Sequence, residues 1–179
     1  GQAIVVISGG IDLSIGSVMA LTNVIAASLL LSYPELSVPI VLFVLLVGLL
    51  IGAVNGVLVV VSRVPDIVVT LAMLFVWAGV ALLVMGTPGG ASTPWLREIS
   101  SGTLGIELIP RALVVLLVIV GVVWIPLRRS RLGLSIYAIG SNQLAAFRSG
   151  VNVEGTKIAA YALTGFFASL GGLALTAST

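Results

Sequence analysis

The chain has 179 residues, 59% of them hydrophobic, with eight Lys and Arg, six Asp and Glu, and neither His nor Cys. Charged residues make up 8% of the chain, against about 25% in a soluble domain. That inventory cannot cover a water-facing shell, and a mean hydropathy of +1.29 points to a bilayer. Without Cys there is no disulfide and no thiolate chemistry, and without His the usual imidazole base and commonest metal ligand are gone. No catalytic residue, metal site or cofactor of the chain's own is expected, and a net charge of +2 gives no reason to expect a nucleic-acid partner.

In chain order, Gly1 to Ser8 read as the tail of an apolar segment already under way; with no initiator Met, the chain reads as an interior piece of a longer protein. Five apolar blocks follow: Ser14 to Leu31, Val38 to Val61, Ile67 to Met85, Ala112 to Leu127, and Ile158 to Leu175. At about 1.5 Å rise per residue, helices of these lengths cross a hydrocarbon core of about 30 Å. The fourth block is the shortest and gains length if Pro110 is its first helical residue. Spanning strands would alternate polar and apolar residues, and these blocks do not. The expected fold is an all-α multi-pass helical bundle with a cytoplasmic loop.

The blocks leave connections at Ser32 to Ser37, Ser62 to Asp66, Gly86 to Ile109, and Arg128 to Lys157. The second and fourth carry Arg63, Arg128, Arg129, Arg131, Arg148 and Lys157, whereas the other side carries Arg97 and Arg111. Because Lys and Arg collect on the cytoplasmic side, this places the second and fourth connections in the cytoplasm. The triplet Arg128, Arg129 and Arg131 reads as a topology anchor snorkelling to the headgroups, with a specific lipid site as the alternative. On the outer side, Gly86, Thr87, Pro88, Gly89 and Gly90 cannot continue a helix, and Trp95 reads as an interfacial anchor.

Three features stand out against the apolar background. The first is the break Ser8 to Gly16, whose Asp12 must be paired, solvated or interfacial at membrane depth. It admits two readings: a tight cytoplasmic turn at Gly9 and Gly10 with Asp12 capping the next helix, or a discontinuous helix beside a translocation path. The second is the stripe Gly48, Gly52 and Gly56, which bares one helix face for close packing, with Asn55 beside it as interhelical glue or a ligand contact. The third is the stretch Arg128 to Lys157, too long for a simple turn. Within it, residues from Ser141 to Arg148 suit a short helix started by a Ser or Asn cap and stopped by Gly150. Such a helix would either dock into a groove on another protein or lie on the membrane surface.

The segments GGIDLSIGSVMAL (Gly9 to Leu21), GAVNGVLV (Gly52 to Val59) and RLGLSIYAIGSNQLAAFRSGVNVEGTKI (Arg131 to Ile158) resemble the permease subunits of bacterial sugar ABC importers of the ribose and xylose type. The resemblance covers essentially the whole chain. It implies a subunit of the bacterial inner membrane that forms the path for a monosaccharide and makes no bonds itself. ATP and Mg would belong to a separate ATPase subunit, with a periplasmic sugar-binding protein outside and a second permease copy, identical or related, alongside. The family's coupling motif, Glu-Ala-Ala followed by three residues and Gly, falls on Leu144, Ala145, Ala146 and Gly150, so Leu144 replaces the motif Glu. Asn142, Gln143 and Arg148 complete the loop expected to meet the ATPase. Asp12, Ser14 and Asn55 are the residues expected to line the path. Permeases of the same superfamily for nucleosides, branched-chain amino acids or autoinducer-2 remain open, as does an ion-coupled secondary transporter.

Overall fold

The computed structural model describes residues 1–86, 90–101, 103–104 and 106–178. A short helix α1 (Gln2–Ile7) is followed by α2 (Ile15–Ser32), α3 (Ser37–Ser62) and α4 (Asp66–Val84). Next come α5 (Pro94–Ser101) and an antiparallel pair of short strands, β1 (Thr103–Leu104) and β2 (Ile106–Pro110). Helices α6 (Arg111–Ile119) and α7 (Ile125–Arg129) run on through a π turn at Val120–Trp124, and α8 (Arg131–Ser141), α9 (Gln143–Arg148) and α10 (Val153–Ser178) complete the chain. Among the described residues four helices are long and apolar enough to cross a membrane: α2, α3 with the 3-10 turn before it, α4 and α10; the run ending at Arg129, taken with α8, adds a fifth as a bent pair. Helices satisfy every internal backbone group within the segment, which is what a bilayer demands.

The centre of the bundle is α10, packed between α3 and α2. A Cβ added at Gly48 would meet Ser169 Cβ at 2.5 Å, one at Gly52 would strike the Tyr161 carbonyl, and one at Gly56 would meet Ile158 Cα at 2.8 Å. Numbers rise on α3 as they fall on α10, so the pair is antiparallel and its backbones approach through the glycine stripe. From the other side, Gly165 brings α10 against the Gly48 carbonyl. In lipid, where apolar burial drives helix association little, such close van der Waals contact supplies the attraction. On its other face α10 runs parallel to α2: Ala168 packs with Val18 and Leu21, Gly172 faces Met19 and Thr22, and Thr176 Oγ1 donates to Asn23 Oδ1 at 2.7 Å. The small pair Gly16 and Ala20 on α2 is exposed, with no atom within 4 Å of a Cβ placed at Gly16.

The fourth span departs from a straight helix for two local reasons. Pro126 has no N–H to donate to the Val122 carbonyl and its ring would collide with it; the wide turn at Val120–Trp124 carries the helix past that conflict. Ser130 then bends the chain by 69°. Its hydroxyl donates to the Leu127 carbonyl at 2.6 Å and accepts from the Gly133 N–H at 3.1 Å, closing α7 and capping α8 together. Only a residue without a side chain fits at Gly133, since a Cβ there would strike the Leu127 carbonyl.

The boundaries differ from the sequence expectation in several places. Pro110 ends β2 and helix α6 begins at Arg111, because Pro110 continues extended backbone rather than opening the helix. The stretch after Arg128 holds an eleven-residue helix, α8, as well as α9, and α10 begins at Val153, five residues before the apolar block. On the outer side, a 3-10 turn occupies Pro34–Leu36, and α5 and the strand pair occupy most of the loop. Helix α4 ends at Val84; Thr87, Pro88 and Gly89 lie outside the described residues. Trp95 Nε1 donates to Ser37 Oγ at 3.0 Å, tying α5 to the first residue of α3.

Candidate functional site

Two places gather the polar residues that the sequence singles out. The first is the break between α1 and α2. Helix α1 ends in a Schellman turn: the Gly9 N–H donates to the Val6 carbonyl at 3.0 Å and the Gly10 N–H to the Val5 carbonyl at 2.9 Å, with Gly9 at φ +79. The Gly1 carbonyl accepts from Thr164 Oγ1, while Val5 packs against Tyr161. Helix α1 therefore runs antiparallel to α10, whereas α2 runs parallel to it, so Ser8 to Ser14 reverses the chain rather than interrupting one span. Gly10 sits where a Cβ would meet Asp66 Oδ2 at 2.7 Å and Tyr161 Oη at 3.0 Å. The reversal therefore lies at the end of the bundle where α4 and α10 begin.

Asp12, Ser14 and Asn55 are brought together there. Asp12 Oδ1 accepts from the Ser14 N–H at 2.8 Å and the Ser14 hydroxyl at 2.6 Å. Asn55 Nδ2 donates to Ser14 Oγ at 2.8 Å, and Asn55 Oδ1 accepts from Trp77 Nε1 at 3.0 Å. The carboxylate thus serves Ser14, the residue before α2, rather than the free N–H groups of the first turn of α2. All three residues are buried, at 5%, 0% and 1% exposure. Burial pushes the Asp12 carboxyl above its ordinary value, and the two bonds from Ser14 pull it part of the way back.

A second set of bonds, not anticipated from the sequence, clamps the same reversal to α4 and α10. Tyr161 Oη donates to Asp66 Oδ2 at 2.9 Å and lies 3.3 Å from the Ile11 carbonyl. Lys157 Nζ lies 4.0 Å from Asp66 Oδ2, and the Leu13 N–H donates to Thr70 Oγ1 at 3.2 Å. The available signals were a carboxylate directly after Pro65 and single polar residues in the apolar runs of α4 and α10. Nothing in their spacing says that they converge on Gly10.

The second place is α9, at the same end of the bundle. Asn142 Oδ1 accepts from the Ala145 N–H at 2.9 Å as an N-cap. The far end closes in a second Schellman turn, from the Gly150 N–H to the Phe147 carbonyl at 3.0 Å and from the Val151 N–H to the Ala146 carbonyl at 3.1 Å, with Gly150 at φ +83. Ala146 is the one buried residue of α9 and packs with Ile139 of α8 and Val153 of α10. Leu144 and Phe147 stand 58% and 67% exposed, and Gln143, Ala145 and Arg148 are exposed with them. Beside them lies a groove of about 600 Å³ lined by Gln143, Leu144, Phe147, Asn152 and Glu154 among others. Two apolar side chains offered to water at the end of a loop, with one basic neighbour, are suited to filling a recess on another protein.

The family described as the permease component of branched-chain amino acid transport systems matches residues 1–179. The ribose import permease of Haemophilus influenzae is 34% identical over 184 residues, covering 98% of this chain and 55% of the relative. The galactofuranose transporter permease of Escherichia coli is 33% identical over 179 residues, covering 99% of this chain and 51% of the relative. An inner membrane ABC transporter permease of Escherichia coli is 34% identical over 180 residues, with 97% and 53% covered. The chain spans about half the length of these relatives. No solved structure matches. With the match running the full length of a chain built as a multi-pass helical bundle, the chain belongs to this family of transport-system permease components.

Proposed function

We propose that the chain is part of the membrane-spanning subunit of a bacterial ABC importer for a monosaccharide, resident in the inner membrane and driven by a separate ATPase. The observation that carries this reading is α9. It is a preformed, capped helix at the cation-rich end of the bundle, offering Leu144 and Phe147 outward and joined through Ala146 directly to α10. The printed names of the relatives, import or transport permeases for ribose and galactofuranose, support a sugar as the solute.

In this reading the chain makes and breaks no covalent bond. ATP with Mg is held by the ATPase, a sugar-binding protein delivers the solute from outside, and a second permease copy supplies the other wall of the path. Closure of the ATPase pair displaces α9, and α9 moves α10 with the helices packed on it. Asp12, Ser14 and Asn55, buried within the chain and bonded to one another, would reach the solute only on a rearrangement that parts α3 from the start of α2.

The test is made in the full-length protein. Gly150→Asp strains a left-handed residue, and Ala146→Glu forces a charge beneath α9. Each is expected to lower both ATPase co-purification and sugar uptake at least about tenfold, with the permease still present in the membrane. Wild-type levels of both would refute the docking assignment. Competition of uptake by ribose, other monosaccharides and branched-chain amino acids then separates the sugar reading from the solute in the family's description.

A further inference from the structure

We propose that the elbow between α7 and α8 binds an anionic phospholipid, with Arg128 and Arg129 holding its phosphodiester and Ile125 and Leu134 covering the upper part of an acyl chain. On either side of the bend at Ser130, Trp124, Ile125, Arg128, Arg129 and Leu134 line an open recess of about 620 Å³. Its two cations are exposed, and the ion pairs among the described residues are Arg111 with Glu98 and Lys157 with Asp66, neither of which involves them. No Asp or Glu occurs in the sequence between Glu107 and Glu154, so the surrounding segment supplies no internal counter-charge.

The walls distinguish this from a plain cluster of anchoring cations. Ile125 and Leu134 are 47% and 63% exposed, on the two helices that meet at the bend. A free phosphate ion would gain nothing from that apolar surface, whereas a phospholipid is charged at one end and apolar at the other in the same sense as the recess. Trp124, whose indole favours the headgroup level, sits one residue before Ile125 and fixes the recess at that depth. Guanidinium groups present forked donors that match phosphate oxygens, and a cation in direct contact with the phosphate strengthens attachment by about fivefold or more.

The experiment uses full-length protein in a neutral detergent, mixed with dioleoyl phosphatidylglycerol or dioleoyl phosphatidylcholine, with retained lipid counted by native mass spectrometry. Phosphatidylglycerol is expected to bind in preference to phosphatidylcholine. The pair Arg128→Gln with Arg129→Gln is expected to weaken that binding about thirtyfold, and Arg128→Lys with Arg129→Lys to keep most of it. Arg63→Gln with Arg131→Gln removes the same charge from the same face but outside the recess, where exposed cations act on the phosphate only across screening solvent, and is expected to leave the preference within about threefold. Equal weakening by the two Gln pairs would show diffuse attraction and overturn the site. So would equal retention of the two lipids, or displacement of phosphatidylglycerol by millimolar inorganic phosphate.

Discussion

Asp12 illustrates how a single carboxylate is kept in a chain this apolar. It is buried beside Ser14, whose N–H and hydroxyl both point at it, and Ser14 in turn holds Asn55 of α3. Desolvation outweighs those bonds, so the folded state favours the neutral acid relative to the unfolded chain. The sign follows: the folded chain holds this proton more tightly, so the contribution of Asp12 to stability is greatest below the ordinary value of 3.8 and falls as the pH climbs from there through the raised value. Asp12→Asn keeps an acceptor oxygen for Ser14 and removes the titration. Thermal unfolding of the full-length protein in detergent across the acidic range is expected to show a shallower fall with pH for Asp12→Asn than for the wild type. A steeper one would refute the account. At this scale Asp12, Ser14 and Asn55 were legible because a polar side chain in an apolar run must be satisfied somewhere. The partner of Asn55, Trp77, and the residues that hold the same reversal through Ile11, Leu13 and Asp66, Thr70 and Tyr161, were not, because each lies in another helix and only the packing of α4 and α10 brings it close.

Among the helices, the glycine stripe carries a sharper consequence than its spacing suggests. Every Cβ added to Gly48, Gly52 or Gly56 meets α10, and at each of the three positions backbone atoms, which cannot rotate away, are among those met. Gly52→Leu in the full-length protein is therefore expected to cost about 3 kcal/mol or more, or to prevent assembly altogether. Gly16→Ala, on an exposed face of α2, is expected to change stability by less than about 0.5 kcal/mol. Thermal unfolding midpoints and gel-filtration profiles of the two variants check this, and similar behaviour would mean that α3 and α10 do not meet through the stripe. The stripe was readable because small residues at every fourth position define one helix face. Helix α9 was readable because Asn142 and Gly150 each have a specific task at a helix end. Helix α8 was harder to see: its buried residues Gly133, Ile136 and Ile139 include a glycine, and two glycines in eleven residues argue locally against a helix. Its warrant is tertiary, since Gly140 lets α8 press against the Ile7 carbonyl and Ile136 packs on Ile4 and Ala160.

Taken whole, the molecule places its polar specialisation at one end. The reversal at Gly9 and Gly10 meets the clamp at Asp66, the residues flanking the elbow at Ser130 pack on α1 through Ile4, Leu127 and Ile136, and α9 joins α8 and α10 through Ala146. From that end α10 runs the depth of the bundle to the cluster of Leu173 and Ala177 with Ala26, Leu30, Ile40, Val44 and Leu96. Under the proposed coupling role, a displacement of α9 would enter α10 at Val153 and be shared with α3 and α2 through backbone-close contacts. Such a lever requires that α9 face the cytoplasm, as the cation distribution demands, with Arg63, Arg128, Arg129, Arg131, Arg148 and Lys157 on that side. These 179 residues hold no Cys, so with any Cys elsewhere in the full-length protein replaced by Ser this is directly measurable. Ser149→Cys, exposed beside Gly150, and Tyr33→Cys, 52% exposed at the other end of α2, each place a single thiol in the chain. Neither position donates or accepts a side-chain bond at the polar seam. In intact spheroplasts a membrane-impermeant maleimide is expected to label Tyr33→Cys and to reach Ser149→Cys only after permeabilisation. In inside-out vesicles the order reverses. Labelling of Ser149→Cys from outside would invert the topology and leave α9 on the wrong face of the membrane for an ATPase.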